Sequence, residues 1–350
     1  MRPSLVERAI MDGLNADGAR VNLYIWGAAG VGKSAVVKQA ADAAGVDFLD
    51  VRAAQLDPTD IRGIIVPDMT KGLATWLVPE WLPRNPDWAG VIFFDELNLA
   101  PMLVQSACYQ LVWDRCIGDY ELPKGAMIVA AGNRKEDGAP AHNMPAPLRN
   151  RFGHIVYEPH LGDWSNWAIK AGIVSDVIAF PNWKPEVFAP PFDSAKNENA
   201  FPSPRTWEFV SRLLSKNAQG AMNYNQDNEY IRELICGCVG KGAGSEFMAF
   251  MRLRNELPDP DEIIAGRFPK VPQKADVCYS LTTTLAVRGT EVNQANRRSA
   301  YANIIKYMEK MSAEYQVLCL RLIGAKDRIV LDQVPEWKTW LKKNSKIFTS

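Results

Sequence analysis

The sequence predicts an α/β fold, a parallel five-stranded sheet flanked by helices, followed by a wholly helical region. Three observations lead there. Short apolar runs suited to buried strands, at Leu23–Trp26, Val46–Val51, Val91–Phe94, Ala126–Ala131 and His154–Tyr157, alternate with helix-like stretches up to Pro159. The first of these runs opens directly into a glycine-framed loop and then a helix-like segment, the arrangement of a βα unit in an open sheet. From His160 onward the alternation stops and the pattern becomes helical, which places a domain boundary near Pro159.

Composition sets the outer limits. With 350 residues, 47% of them hydrophobic, the chain can bury a sizeable core and divide into two or three domains. Lys+Arg 40 balances Asp+Glu 40, so there is neither a global basic field for nucleic acid nor an acidic excess pointing to disorder. No apolar run reaches the length of a membrane span, and Arg2, Glu7 and Arg8 interrupt any signal-peptide core, so a cytoplasmic location is expected. The six cysteines are scattered and no histidine cluster accompanies them, which argues against a disulfide framework or a zinc site. Cys236-Gly-Cys238 reads as small buried hydrophobes in a helix.

Taken in order, residues 1–20 suggest a helix with Leu5, Val6, Ala9 and Ile10 on one face, running into turns at Asp12-Gly13 and Asp17-Gly18. The strand Leu23–Trp26 leads into Gly27-Ala-Ala-Gly-Val-Gly-Lys-Ser34. Gly27 and Gly32 frame four residues before Lys33-Ser34, the spacing of a phosphate-binding loop. A loop with little side-chain bulk lets consecutive backbone N–H groups close on phosphate oxygens. Lys33 would then reach the terminal phosphates, and Ser34 would hold Mg²⁺. Val36, Val37, Ala40, Ala41 and Ala44 continue with helical period, and Gly45 is a suitable stop. After the second strand, Asp57-Pro58-Thr59-Asp60 starts a short helix over Ile61–Ile64. Residues 65–82 read as two extended pieces around Met69–Gly72, carrying Met69, Leu73, Trp76 and Trp81. They form either a hairpin covering the core or a protruding element that grips something else.

Val91-Ile-Phe-Phe-Asp95-Glu96 is the second chemical signal, an apolar parallel strand delivering two carboxylates at its C-terminal edge, where open α/β sheets bind ligands. Asp95 would orient the metal shell, and Glu96 would act as general base on an attacking water. Pro101 opens a helix with Leu103, Val104, Ala107, Cys108, Leu111 and Val112 inward, and Ile117–Leu122 is a short extended pair. The strand at Ala126–Ala131 ends in Gly132-Asn133, whose amide could position the water beside the γ-phosphate or simply belong to a turn. Leu148-Arg149-Asn150-Arg151-Phe152 closes a helix with two cations. They either compensate its dipole or offer an arginine to the phosphate of a neighbouring subunit. In the helical region, short helices are expected around Trp164–Ile169 and Val174–Ile178, then a loop from Phe180 to Pro202. Ser203-Pro204-Arg205-Thr206 is a capped helix start that turns Trp207, Val210, Leu213 and Leu214 inward. A cation at that positive helix end is unfavourable unless an anion is near, so Arg205 points to phosphate. Further helices are expected at Tyr230–Cys238, Glu246–Asn255, Cys278–Val287 and Tyr301–Leu322, with a last one carrying Trp337, Trp340 and Leu341.

With these motifs in this order the sequence resembles the AAA+ ATPases, and within them the MoxR branch. The insert at 65–82, the hairpin before Asn133, and the Gly-Asn-Arg and Asn-Arg-Phe phrases carry the closer likeness. The phrase Asp95-Glu96-Leu97-Asn98-Leu99 lacks the arginine usual in that branch. The resemblance implies a nucleotide-binding α/β domain over 1–159, a helical lid over 160–265 and a helical extension over 266–350. It implies ATP contacts from Gly27, Ala28, Ala29, Gly30, Val31, Gly32, Lys33, Ser34 and Ala35, and Mg²⁺ at Ser34 and Asp95. Glu96 would be the catalytic base, Asn133 the first sensor and Arg205 the second. Arg151 is the first choice for a finger acting on the next subunit, with Arg149 in reserve. Proteins of this kind work as rings, usually hexamers, that remodel a protein partner, in the MoxR branch commonly one with a von Willebrand factor A domain. Two other classes share the loop: a DNA-acting motor or loader, against which the balanced charge stands, and a small-molecule phosphotransferase, which leaves Asn133, Arg151 and Arg205 without purpose.

Overall fold

The computed structural model describes residues 1–15, 21–70, 72–134, 144–191, 199–215, 229–252 and 256–348. Met1–Pro159 forms one compact unit, while His160–Pro190 and the helices from Pro204 on form a second. No described helix is long and apolar enough to cross a membrane.

Helix α1 (Pro3–Asn15) buries Val6, Ile10 and Leu14, a stripe at four-residue spacing. Leu5, expected on that face, is exposed. The turn expected at Asp12-Gly13 is helical instead; Gly13 lies against Met127, where a Cβ would come within 2.7 Å of its methyl. The Asp17-Gly18 turn falls outside the described residues. Next come β1 (Leu23–Trp26), α2 (Lys33–Ala44) and β2 (Asp47–Arg52), with Gly45 closing α2 in the left-handed conformation as its position after the periodic run requires.

Helix α3 (Pro58–Arg62) is a single turn fixed by a capping box between Asp57 and Asp60. It stops before Ile64 because Gly63, at φ 77°, has the Leu77 carbonyl 2.1 Å from where a Cβ would stand. The insert is an antiparallel hairpin of β3 (Ile64–Asp68) and β4 (Leu73–Leu77), from which Ile64, Ile65, Met69, Leu73 and Leu77 project exposed. Beyond it come β5 (Ala89–Asp95), α4 (Met102–Trp113), the small hairpin of β6 (Cys116–Ile117) and β7 (Tyr120–Glu121), β8 (Gly125–Gly132), α5 (Ala146–Arg149) and β9 (Gly153–Val156). In α4, Leu103 faces solvent and Gln105 is buried in its place, its Nε2 donating to Ala100 O at 2.9 Å.

The sheet is five-stranded and parallel throughout, in the order β2-β5-β8-β1-β9. Its strands alternate strictly between two cores. Tyr24, Ile92, Phe94, Ile128 and Ala130 pack with α4 and Leu148 of α5. Ile25, Val91, Phe93, Met127, Val129 and Ala131 pack with α1 and α2. Both faces are covered, and so β5 and β8 read as continuous apolar runs rather than as alternating ones.

The second unit is helical: α6 (Leu161–Lys170), α7 (Ser175–Trp183), α8 (Pro204–Leu214), α9 (Glu229–Val239), α10 (Lys241–Arg252), α11 (Pro260–Ile264), α12 (Ala275–Glu291), α13 (Arg297–Met308), α14 (Ala313–Leu331) and α15 (Pro335–Phe348). Buried residues from Trp164 to Trp340 belong to one hydrophobic core. The expected Phe180–Pro202 loop begins later, since Phe180 is a fully buried residue of α7, ringed by Trp207, Phe247 and Phe250. The single helix expected over Tyr301–Leu322 is two, broken at Glu309–Ser312, where Ser312 becomes the cap of α14. Helix α11, short and without periodicity, went unforeseen.

Ser203 caps α8 as its sequence predicts: its Oγ accepts from Thr206 N–H at 3.2 Å, and its own N–H donates to Thr206 Oγ1 at 2.8 Å. Trp207, Val210 and Leu214 are buried behind it, and Leu213 is half-exposed. Replacing Ser203 by Ala should cost about 1 kcal/mol by loss of the cap. Chemical denaturation would read this as a lower midpoint at unchanged slope, and an unchanged midpoint would show the cap to be dispensable.

Candidate active site

The site is assembled where β1, β5 and β8 end on the same edge of the sheet. At the end of β1 the Trp26 carbonyl accepts from Tyr157 N–H, and Gly27 N–H donates to Gly132 O at 3.2 Å. The chain therefore leaves the sheet between its two neighbours. Gly27 is closely approached by its neighbour: a Cβ would stand 3.1 Å from Tyr157 O, a tight contact. Gly30 and Gly32 take φ values of 75° and 103°, which favour glycine. Gly32 is the N-cap of α2 and supplies no side-chain cap. The first N–H groups of a helix have no acceptor within it, so this positive helix end is built to receive an anion.

Lys33, only 8% exposed, folds back over the loop. Its Nζ donates to Gly27 O, Ala28 O and Asn133 Oδ1, each at 2.8 Å. A buried ammonium on this trio of oxygens ties the loop to the tip of β8, and so brings together two residues that lie a hundred positions apart. Beside it, Ser34 Oγ donates to Asp95 Oδ2 at 2.9 Å, which joins the start of α2 to the tip of β5. Glu96 follows at φ 54°, its N–H donating to Asp95 Oδ1 at 3.0 Å and its side chain exposed. On β2, partial desolvation and the nearby charge of Asp95 push the Asp50 carboxyl up from its ordinary value.

The donor chemistry suits a nucleoside triphosphate with Mg²⁺. An uncapped helix N-terminus preceded by left-handed glycines can cradle phosphate oxygens, and a serine hydroxyl beside a carboxylate offers hard oxygen donors. The described residues contain no cluster of three His, Cys, Asp or Glu side chains that would hold a metal without such help.

Arg149 and Arg151 stand at the end of α5 and in the turn that follows it. Arg149 is exposed at the last turn of α5, and its carbonyl accepts from His154 Nε2 at 2.8 Å. His154 Nδ1 in turn accepts from Trp26 Nε1 at 2.9 Å, so the hydrogen-bond pattern selects the neutral ring protonated at Nε2. Arg151 lies over the rings of Tyr109 and Trp113, 5.5 and 5.8 Å from their centroids, and its Nη1 donates to Pro147 O at 3.1 Å. Arg205 belongs to the second unit, exposed in the first turn of α8. Sequence reasoning gave no role to Tyr24 and Asn98, both buried behind the site. An amide between two leucines at a strand end was the available signal for Asn98, since apolar neighbours at that point imply burial.

No protein-family description matches the chain, and no curated protein does. Among solved structures it is similar to a variant of RuvB from Thermotoga maritima, with 16% identity, a TM-score of 0.37, and coverage of 81% of this chain and 79% of that one. It is also similar to NtrX from Brucella abortus in complex with ATP, with 13% identity, a TM-score of 0.36, and coverage of 98% and 67%. A DNA polymerase III gamma subunit-related protein from Thermotoga maritima shares 11% identity at a TM-score of 0.35, over 99% and 92%. Likenesses this distant assign no activity or partner to the chain.

Proposed function

We propose that this chain is an ATPase of the AAA+ type that works as a ring, couples hydrolysis to remodelling of a protein partner, and belongs nearest the MoxR branch. The observation that carries the ATPase reading is the joint placement of Lys33 on the loop carbonyls and Asn133, and of Ser34 on Asp95, at one sheet edge. ATP phosphates enter the cradle of Gly27–Ala35 and take the place of the carbonyls at Lys33. Ser34 and Asp95 would hold Mg²⁺, which would supply charge neutralisation on the phosphate oxygens. Glu96, on a turn that lifts it clear of the strand ladder, accepts the proton of the attacking water. Asn133 orients that water, and its contact with Lys33 lets it register which phosphate is present.

The arginines complete this reading. Arg151 serves the site of a neighbouring copy, with Arg149 as the alternative, and Arg205 reads the nucleotide from the helical unit. The remodelled partner is a protein, and one with a von Willebrand factor A domain fits the MoxR likeness. Balanced charge favours a protein substrate over DNA. ATP turnover with Mg²⁺, and particle mass with and without ATP, test the proposal. Turnover that rises with a nucleotide-dependent, ring-sized particle supports it. Full turnover by a monomer would sink the ring reading, and strong stimulation by DNA at physiological salt would move the chain to the motor class.

A further inference from the structure

Asn98 takes no part in the roles just assigned, yet its polar side chain is buried beside the site, at 1% exposure. Its Nδ2 donates to the backbone carbonyl of Asn133 at 2.8 Å. The Asn133 side chain is the one that accepts from Lys33. On its other side, Asn98 Oδ1 is buried with no hydrogen-bond partner among the described residues, while the buried Tyr24 hydroxyl lies against the Asn98 backbone N–H. Both atoms lie over Gly132, where a Cβ would come within 2.2 Å of Asn98 Oδ1 and 2.3 Å of the Tyr24 oxygen.

The strand ladder explains why a half-satisfied amide is placed there. β5 and β8 pair residue for residue only as far as Phe94 opposite Ala130. Beyond that point Asp95 to Asn98 and Ala131 to Asn133 no longer pair with each other, and the Asn98–Asn133 bond ties the two tips together. A leucine, as at Leu97 and Leu99 on either side, would fill the space without the orphaned Oδ1, whose burial is unfavourable, but would take its donor away from the Asn133 carbonyl. The amide therefore carries a cost that its single bond to Asn133 must offset.

We propose that Asn98 is a positioning residue for hydrolysis: its amide holds the Asn133 backbone so that the Asn133 side chain keeps its place against Lys33 through the reaction. This rests on the ATPase reading of the same site. Asn98 touches neither nucleotide nor water in this scheme and acts wholly through Asn133.

A double-mutant comparison tests it. Asn98→Ala and Asn98→Leu are each made in the wild-type chain and in Asn133→Ala. The leucine variant keeps the packed volume and removes the orphan oxygen, so it should fold even if the alanine variant does not. In the wild-type background kcat should fall about tenfold or more, with the dissociation constant for ATP changed less than about threefold. In the Asn133→Ala background the same substitution should change kcat less than about twofold, because no side-chain amide is left to position. An equal loss in both backgrounds would make Asn98 merely structural, and an unchanged kcat in the wild-type background would also overturn the assignment. Absence of turnover in the wild-type chain is a different failure, that of the ATPase reading.

Discussion

Glu96→Gln is expected to bind ATP about as tightly as the wild-type chain while hydrolysing it 10²- to 10⁴-fold more slowly, roughly the contribution of a positioned general base. The substitution keeps the size of the side chain and removes only its capacity to take a proton. Glu96 is exposed, so no core contact is lost with the charge. Its neighbours give the prediction its specificity. Asp95 is engaged by Ser34, and Asp50 lies one strand away, so neither carboxylate is placed as Glu96 is, at the tip of β5 beyond the ladder. Equilibrium binding of a fluorescent ATP analogue and steady-state release of phosphate separate the two effects. Hydrolysis at the wild-type rate would remove Glu96 from the mechanism, and loss of binding would show that it holds nucleotide instead.

Arg151→Ala should lose activity by a factor on the order of 10³ while ATP still binds, because a finger acts on the transferring phosphate of another copy. The geometry favours Arg151 as the better-ordered candidate. Tyr109 and Trp113, one turn apart on α4, and the Pro147 carbonyl hold its guanidinium, whereas Arg149 is exposed at a helix end. Arg151→Lys should rescue little, since an ammonium lacks the planar fork. Mixing offers the sharper measurement. An Arg151→Ala chain has an intact Glu96 but no finger, and a Glu96→Gln chain has the reverse. If finger and base meet across copies, the two inactive proteins together should regain turnover. A mixture as inactive as its parts, with Arg149→Ala also inactive alone, would transfer the role to Arg149.

Much of the α/β fold was legible because its signals are local. The apolar runs at β5 and β8, the glycine-framed loop and the cap at Ser203 each depend on neighbours a few residues away, and each element appears near where it was expected. Periodicity misjudged the faces of α1 and α4. Leu5 and Leu103 satisfy a helical pattern, but the stripes that are buried pass through Leu14 and Gln105 instead. The run through Tyr301 and Leu322 looked continuous because the break at Glu309–Ser312 contains neither glycine nor proline. Within the site, Lys33, Ser34, Asp95 and Asn133 were readable as motifs and do converge. Asn98 and Tyr24 were not, because their importance arises from contacts across strands that no spacing in the chain encodes.

Glu96 adopts a left-handed backbone conformation that glycine would occupy without strain. Holding a non-glycine residue there costs on the order of 1 kcal/mol or more. The turn at the end of β5 is thus a place where the fold gives up stability to hold a carboxylate-bearing residue. A glycine at this position should raise the melting temperature of the chain even as it removes the base. If Glu96 is the base proposed above, this turn is where activity and durability pull in opposite directions.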